Sequence, residues 1–362
     1  MSKALTAAAI ALGMAPLLVP NGGWWLVSGL GAVWLARQLL RSRRGVWALM
    51  PAVGLCALAL SGGAMGAWAI AQTLLGGSAR AAGHAPMHAI LFGNLSLVCG
   101  LVSMAGLAWA WHQPKPKRWV WWLLFGFGAV GGVMASVLSG TRGGWLALPF
   151  AGLVFYRVYI GRWAGWKQGV LAAGVCILLV SAYALPQTGV QTRVASAVEE
   201  TRDYWQGHPH GSIGVRLELY RVTLMLIAQR PLTGYRLAEY QDALQTLQQK
   251  GDISPQVARH WHAHNDLLNA WVRYGVLGLL GVILLYAWPL WWFSRSSLWQ
   301  QPAQRPLVLA GLLLPILFID FGLSYAFFAY PVVLATYVGW VVLLQIGVKA
   351  AQFSARRRAP FS

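Results

Sequence analysis

The chain has 362 residues, of which 57% are hydrophobic and only 10% charged, whereas soluble domains carry about 25% charged residues. That is too little polar surface to coat a soluble particle, and it excludes a soluble enzyme, a disordered chain and a disulfide scaffold. A formal net charge of +19 would suggest nucleic acid in a soluble protein. Here the basic residues sit in short gaps between apolar runs, the pattern of cytoplasmic loops in a membrane protein, so no nucleic-acid partner is expected. The 21 Trp and 41 Gly agree, since Trp gathers at bilayer interfaces and Gly is common in spanning helices. The expected class is an all-α polytopic membrane protein.

A spanning helix needs about 20 apolar residues. Runs over 4–20, 23–40, 46–75, 88–111, 119–139, 143–160, 168–186, 268–293, 307–325 and 328–347 predict 10 spans, with 12 possible. The first run, after Lys3, is read as a retained span. The run 46–75 is long for one helix, and Gly62-Gly63 and Gly66 offer points at which it would break. Basic clusters at Arg41/Arg43/Arg44, Lys115/Lys117/Arg118, Arg157/Arg162/Lys167, Arg295/Arg305 and Lys349/Arg356–Arg358 all belong in the cytoplasm by the positive-inside rule. That places both termini inside, and the 76–87 loop, the Ser139–Gly144 turn and the segment 187–267 on the opposite face. The expected division is therefore a bundle over 1–186, an outer loop domain over 187–267, a second bundle part over 268–348 and a basic tail over 349–362. Cys56, Cys99 and Cys176 fall inside apolar runs and are expected to be small buried hydrophobes, with no disulfide or metal site.

Acidic residues set one region apart. Eight of the nine lie between Glu199 and Asp266, and the last is Asp320. Segment 187–267 also holds His208, His210, His260, His262 and His264. Within it, Gly214–Gln229 reads as an amphipathic helix with Val215, Leu219, Val222 and Leu226 on one stripe, ended by Arg230-Pro231. A second helix is predicted over Ala238–Lys250, closed by Gly251.

Four groups carry chemical potential. Arg142, in Ser139-Gly140-Thr141-Arg142-Gly143-Gly144-Trp145, is a glycine-flanked arginine on the outer side, where the positive-inside rule disfavours it. It reads as an anion ligand, because glycines allow close backbone approach, a following helix start favours anions and guanidinium grips phosphate bidentately. A snorkelling side chain is the bland alternative. Arg216 and Arg221 lie on the predicted 214–229 helix, about 140° apart, with Glu218 able to pair with either and Arg230 and Arg236 following. In Trp261-His262-Ala263-His264-Asn265-Asp266, one histidine reads as a general base, since imidazole titrates near neutrality. Asn265 or Asp266 is a helix N-cap. Metal ligation by this stretch is disfavoured for want of a further ligand cluster. Asp320 is an acid inside a late span, where carboxylates are costly; it orients a histidine, pairs with an arginine or serves structure alone. Arginines without an acidic metal-binding cluster suit a diphosphate stabilised by guanidinium, and a diphosphate on a membrane lipid reaches this level.

These segments resemble the O-antigen ligase and polymerase superfamily. Ser139-Gly-Thr-Arg142-Gly-Gly-Trp145-Leu-Ala-Leu-Pro149 is similar to that family's arginine segment. Gly214-Val-Arg216-Leu-Glu-Leu-Tyr220-Arg221, followed by Pro231-Leu-Thr-Gly234-Tyr235, resembles its second arginine stretch, with Arg236 where the family has glycine. His262-Ala-His264-Asn265-Asp266-Leu-Leu, then Tyr274-Gly275-Val-Leu-Gly278, is similar to its histidine signature. The match covers about Ser139–Gly281.

The resemblance implies an O-antigen ligase of the bacterial inner membrane whose active site faces the periplasm. Its donor would be a polysaccharide on undecaprenyl diphosphate and its acceptor a sugar hydroxyl of lipid A–core, within membrane lipids and without a cofactor. By the matched positions His264 would be the catalytic base, and Arg142, Arg216 and Arg221 would bind the diphosphate. His262, Asn265, Asp320 and Arg236 are secondary candidates, and no metal is implied. The course would be a metal-independent inverting displacement. O-antigen polymerases and protein O-oligosaccharyl ligases share these motifs, but a single long outer segment favours a ligase. A lipid-linked glycan transporter is a further alternative.

Overall fold

The structure, a computed structural model, describes residues 50–358 except 85–86, 142, 161–163, 185–189 and 208–209. The predicted spans 4–20 and 23–40, the Arg41–Arg44 cluster, Arg142, Arg162 and His208 lie outside the described residues. The protein is an all-α membrane protein, with no strand among the described residues. Seven stretches of these residues are long and apolar enough to cross a membrane.

The chain divides into two compact units: Met1–Ala151, Leu284–Phe321 and Tyr330–Ser362 form one, and Gly152–Ile283 with Gly322–Ala329 the other. In the first, α1 (Met50–Ile70), α2 (Ala89–Trp111) and α3 (Lys115–Leu138) pack on one another, and α12 (Pro331–Arg358) packs on α1. The run 46–75 is not broken at its glycines. The helix α1 passes through Gly62, Gly63 and Gly66 and continues as a π-helical turn, Ala71–Leu75. Those glycines serve packing instead: Gly62 lies against the Gly128 backbone and Gly66 against Gly131, so closely that a Cβ on either would overlap it. Between apolar helices, association rests on such close contact of small residues.

Helix α4 (Ala147–Phe155) follows a short 3₁₀ turn, Gly143–Leu146. The second unit holds α5 (Gly165–Ala184), α6 (Val190–Trp205), α7 (Gly211–Gln229), α8 (Leu237–Gln249), α9 (Pro255–Ala258) and the start of α10 (Asp266–Ser294). Helix α11 is Arg305–Ser324. Each predicted run from 46 onward thus has a helix over it. Cys176 departs from its expected burial. Cys99 is buried and Cys56 half-buried, but Cys176 is exposed on α5, because an apolar membrane helix also turns a face outward.

The predicted α7 stripe forms the core of the second unit. Val215, Leu219, Val222 and Leu226 are buried against Tyr240 and Leu244 of α8, Ile253, Val257 and Val272. Each such side chain contributes about 1.5–3 kcal/mol. Helix α7 ends at Arg230, before Pro231, and the stretch that follows docks on α10. Tyr235 donates its N–H to the Val272 carbonyl at 2.7 Å, and the Trp271 indole donates to the Pro231 carbonyl at 3.0 Å. The backbones meet where Gly275 takes a non-helical conformation (φ 63°, ψ −160°) inside α10. A Cβ there would overlap the Leu232 carbonyl, and Gly234 faces the Gly275 nitrogen with φ +68°. Only glycine adopts such angles without strain. The helices α6 and α9 have no counterpart in the sequence-based expectation.

Candidate functional site

The histidine stretch leaves α9 and enters α10 as an irregular loop. Ser254 caps α9, and its fully buried Val257 is part of the core. The His260 N–H donates to the Val257 carbonyl at 3.1 Å, so His260 starts from a fixed base. At the far end Asn265 is the cap of α10: its Oδ1 accepts the Leu268 N–H at 3.0 Å, which satisfies a donor that the helix start leaves open. The Asn269 Oδ1 accepts the Ala263 N–H at 3.2 Å. Between these anchors His264 takes φ 52°, the one non-glycine residue with positive φ among the described residues. Histidine is among the residues enriched there, and strain of this kind gathers at functional sites.

Three imidazoles meet at this loop. The His264 Nε2 lies 3.2 Å from the His260 Nδ1, with the rings edge-on at 4.6 Å and 85°. His262 is buried, at 2% exposure, and its Nδ1 accepts the backbone N–H of His264 at 3.2 Å. That bond places the His262 ring hydrogen, in the neutral form, on Nε2. Tyr325, from the 322–329 return segment, completes the cluster with its ring 4.6 Å from His262 and 4.9 Å from His264. The segment is held by the Asp266 carboxylate, which accepts the Phe328 N–H at 2.7 Å.

Helix α7 ties to the same loop through Tyr220. Its hydroxyl lies 2.9 Å from the Leu323 carbonyl and 3.1 Å from the His264 carbonyl. Asn265 Nδ2 donates to Leu323 O at 3.3 Å. Burial pushes the Tyr220 hydroxyl pKa up, while the Arg216 charge and a hydrogen bond from Asn265 hold it back. Residues four apart share a helix face, so Arg216 lies on the α7 face that meets the histidine loop. Its guanidinium makes no hydrogen bond or ion pair among the described residues, and it stands half-exposed. Arg221 differs. It is bound to the buried Glu218 carboxylate at 2.6 and 3.2 Å and to the Asp252 carbonyl at 3.2 Å. Those bonds to Glu218 raise its pKa further. Of the two pairings open to Glu218, the structure has that with Arg221. Arg236 is exposed at the start of α8, where its N–H donates to Glu239 at 2.6 Å. Arg230 pairs with Glu239 at 3.4 Å and covers the Tyr235 ring at 4.6 Å.

The other unit carries the Ser139–Gly144 turn. Ser139 Oγ donates to the Ser136 carbonyl at 2.7 Å and accepts the Thr141 N–H at 3.1 Å, and Thr141 Oγ1 donates to the Ala89 carbonyl at 2.8 Å. The 76–87 loop supports it: Arg80 Nε donates to the Ser139 carbonyl at 2.7 Å, and the Ala81 N–H to Leu138 at 3.0 Å. Gly144 has no room for a Cβ, which would overlap the Asn94 amide oxygen and crowd Phe321. Asp320, one residue before Phe321 on α11, has a buried Oδ2 with no hydrogen-bond partner among the described residues. Among the described residues no set of three or more His, Cys, Asp or Glu is arranged to hold a metal ion.

The structure therefore gathers His264, His262, Asn265 and Arg216 in one unit, and places Asp320 with the 139–147 turn in the other. Sequence reasoning missed Tyr325, His260, Tyr220 and Arg80. His260, four residues before His264, and Tyr220, four after Arg216, were open to a spacing argument. Tyr325 and Arg80 come from distant chain with no local signal.

Two comparisons bear on this arrangement. The O-antigen ligase family matches residues 127–283, a stretch that contains Arg216, Arg221, Arg230, Arg236, His260, His262 and His264. An uncharacterized protein of Haemophilus influenzae is 25% identical over 213 residues, covering 57% of this chain and 52% of the relative. The chain thus spans about half the length of the curated relative it matches.

Proposed function

Because residues 127–283 carry the domain of the O-antigen ligase family, we propose that the protein is a membrane glycosyltransferase of the inner membrane. It moves a polysaccharide from undecaprenyl diphosphate to a sugar hydroxyl of lipid A–core on the periplasmic face. The observation that carries this reading is the strained His264, framed by two imidazoles and Tyr325, with Arg216, which has no ion-pair partner among the described residues, on the adjoining face of α7. Base and cation on one scaffold are what displacement of a diphosphate demands.

In this reading His264 takes the proton from the acceptor hydroxyl. The hydroxyl oxygen bonds to the anomeric carbon on the face opposite the diphosphate, and the carbon–oxygen bond to phosphate breaks. The electron pair leaves with the diphosphate, and the configuration inverts. Arg216 and Arg142 neutralise the charge that grows on the leaving oxygens; such preorganised stabilisation is often the largest catalytic contribution. His262 is the weaker candidate for the base, because its Nδ1 is occupied by the His264 N–H. Arg221 contributes less than Arg216, because its guanidinium is committed to Glu218.

The test is reconstitution of the purified full chain in vesicles with lipid-linked glycan and lipid A–core. The proposal expects glycan-capped acceptor from this protein alone, and losses of about 100-fold or more for Arg216→Ala. Accumulation of acceptor with single repeats and lengthening of the lipid-linked glycan would indicate a polymerase. Passage of donor across the vesicle without a covalent product would indicate a transporter.

A further inference from the structure

The His260–His264 pair is outside the family-matched roles assigned above, yet it controls which nitrogen of His264 is basic. A hydrogen bond between two neutral imidazoles needs one N–H and one lone pair. Two arrangements satisfy the 3.2 Å contact between His264 Nε2 and His260 Nδ1. In one, His264 Nε2 donates, and its lone pair sits on Nδ1. In the other, His260 donates and occupies the Nε2 lone pair. Only the first leaves His264 a basic nitrogen outside the pair, and protonation of that nitrogen strengthens the bond instead of breaking it.

We propose that His260 is a positioning residue: it accepts from His264 Nε2, fixes the Nδ1-basic tautomer and shares the positive charge when His264 takes the acceptor proton. The proposal rests on His264 being the base. Three observations support it. First, the His260 backbone is held by its N–H on the Val257 carbonyl at the end of the capped helix α9, which fixes the point from which its ring reaches His264. Second, burial lowers the His260 pKa from its ordinary value, which keeps it neutral and able to accept. Third, among the described residues His264 is the hydrogen-bond partner of the His260 ring.

The balance of the step is simple. The acceptor O–H bond breaks as an N–H bond forms at His264 Nδ1, and the Nε2 proton stays on His264, drawn toward His260. No oxidant, metal or further acid is required. The groups that face His264 are His260, His262 and Tyr325, with the Tyr220 hydroxyl on its carbonyl and Arg216 beside Tyr220. The nearest carboxylate along the chain, Asp266, is engaged with the Phe328 N–H. His260, in hydrogen-bond contact with the His264 ring, is placed to share the charge of the imidazolium.

The test uses the full-length protein in vesicles and compares His260→Leu, His260→Asn and His264→Gln. Asparagine places an amide oxygen near the position of the lost Nδ1. His260→Leu is expected to lower kcat by about 10- to 100-fold with KM unchanged, and to move the acid limb of the kcat profile to lower pH. His260→Asn is expected to recover most of both. The proposal is overturned if His260→Leu keeps the wild-type rate and acid limb while His264→Gln is inactive. It is also overturned if the Leu and Asn variants lose activity equally with the acid limb unmoved, since that marks a packing role. Activity retained by His264→Gln would sink the underlying assignment of the base instead.

Discussion

Asp266→Ala should release the return segment that carries Tyr325. The carboxylate is 2% exposed and accepts the Phe328 N–H at 2.7 Å. A hydrogen bond to a charged acceptor contributes about 1.5–3 kcal/mol. That is local stability of residues 322–329, because the lost bond joins that segment to α10. At tenfold per 1.4 kcal/mol, opening of the segment becomes about 10- to 100-fold more frequent. Hydrogen exchange on the full chain in detergent measures this directly: amides of 322–329 should exchange faster by that factor while those of α7 and α8 do not change. Asp266→Asn, which keeps an acceptor, should show a smaller effect. Exchange in 322–329 within threefold of wild type in Asp266→Ala would refute the tether.

Three further outcomes follow from the same geometry. Gly275→Ala places a Cβ on the Leu232 carbonyl at a φ of +63°; we expect a loss of several kcal/mol in unfolding stability, whereas Gly281→Ala, in open space on the same helix, should be neutral, as read by thermal unfolding. Arg221→Gln removes the ion-pair partner of the buried Glu218 carboxylate, and because Arg221 is itself half-exposed the cost is about 1–3 kcal/mol; the double change with Glu218→Gln should regain most of that stability, and failure to do so would show that Arg221 acts elsewhere. Burial lowers the folded-state pKa of His260 below 6.5, so the folded state binds fewer protons than the unfolded state in the window under that value. Stability should therefore rise with pH up to about 6.5 and fall as pH drops below it, and His260→Asn should flatten that dependence in a denaturation series.

The parts of the fold that hydropathy controls were legible in the sequence. Apolar length alone predicts helices α1 to α5 and α10 to α12, and the 3.6-residue spacing of Val215, Leu219, Val222 and Leu226 predicts the buried face of α7. What failed depends on partners that the local sequence does not name. Gly62, Gly63 and Gly66 looked like breaks because glycine weakens helices in water; against Gly128 and Gly131 they are contact points. Apolarity predicted burial for Cys176, but it does not distinguish a face against protein from one turned outward. In the candidate site, motif and charge pointed to His264, Arg216 and Asn265. The strain at His264 and the rings of His260 and Tyr325 arise from a loop closed by Asn265, Asp266 and Tyr220. That closure depends on residues 322–329, which are far along the chain.

The central claim is that the His264 imidazole is the base of a transfer between two lipid-linked sugars. The most direct measurement is single-turnover formation of glycan-capped lipid A–core by wild type and His264→Gln, each pure and reconstituted in vesicles. The account predicts product from wild type and a rate lower by about 100- to 10,000-fold from the variant, with donor binding retained. A folded His264→Gln protein that makes product at the wild-type rate would contradict it.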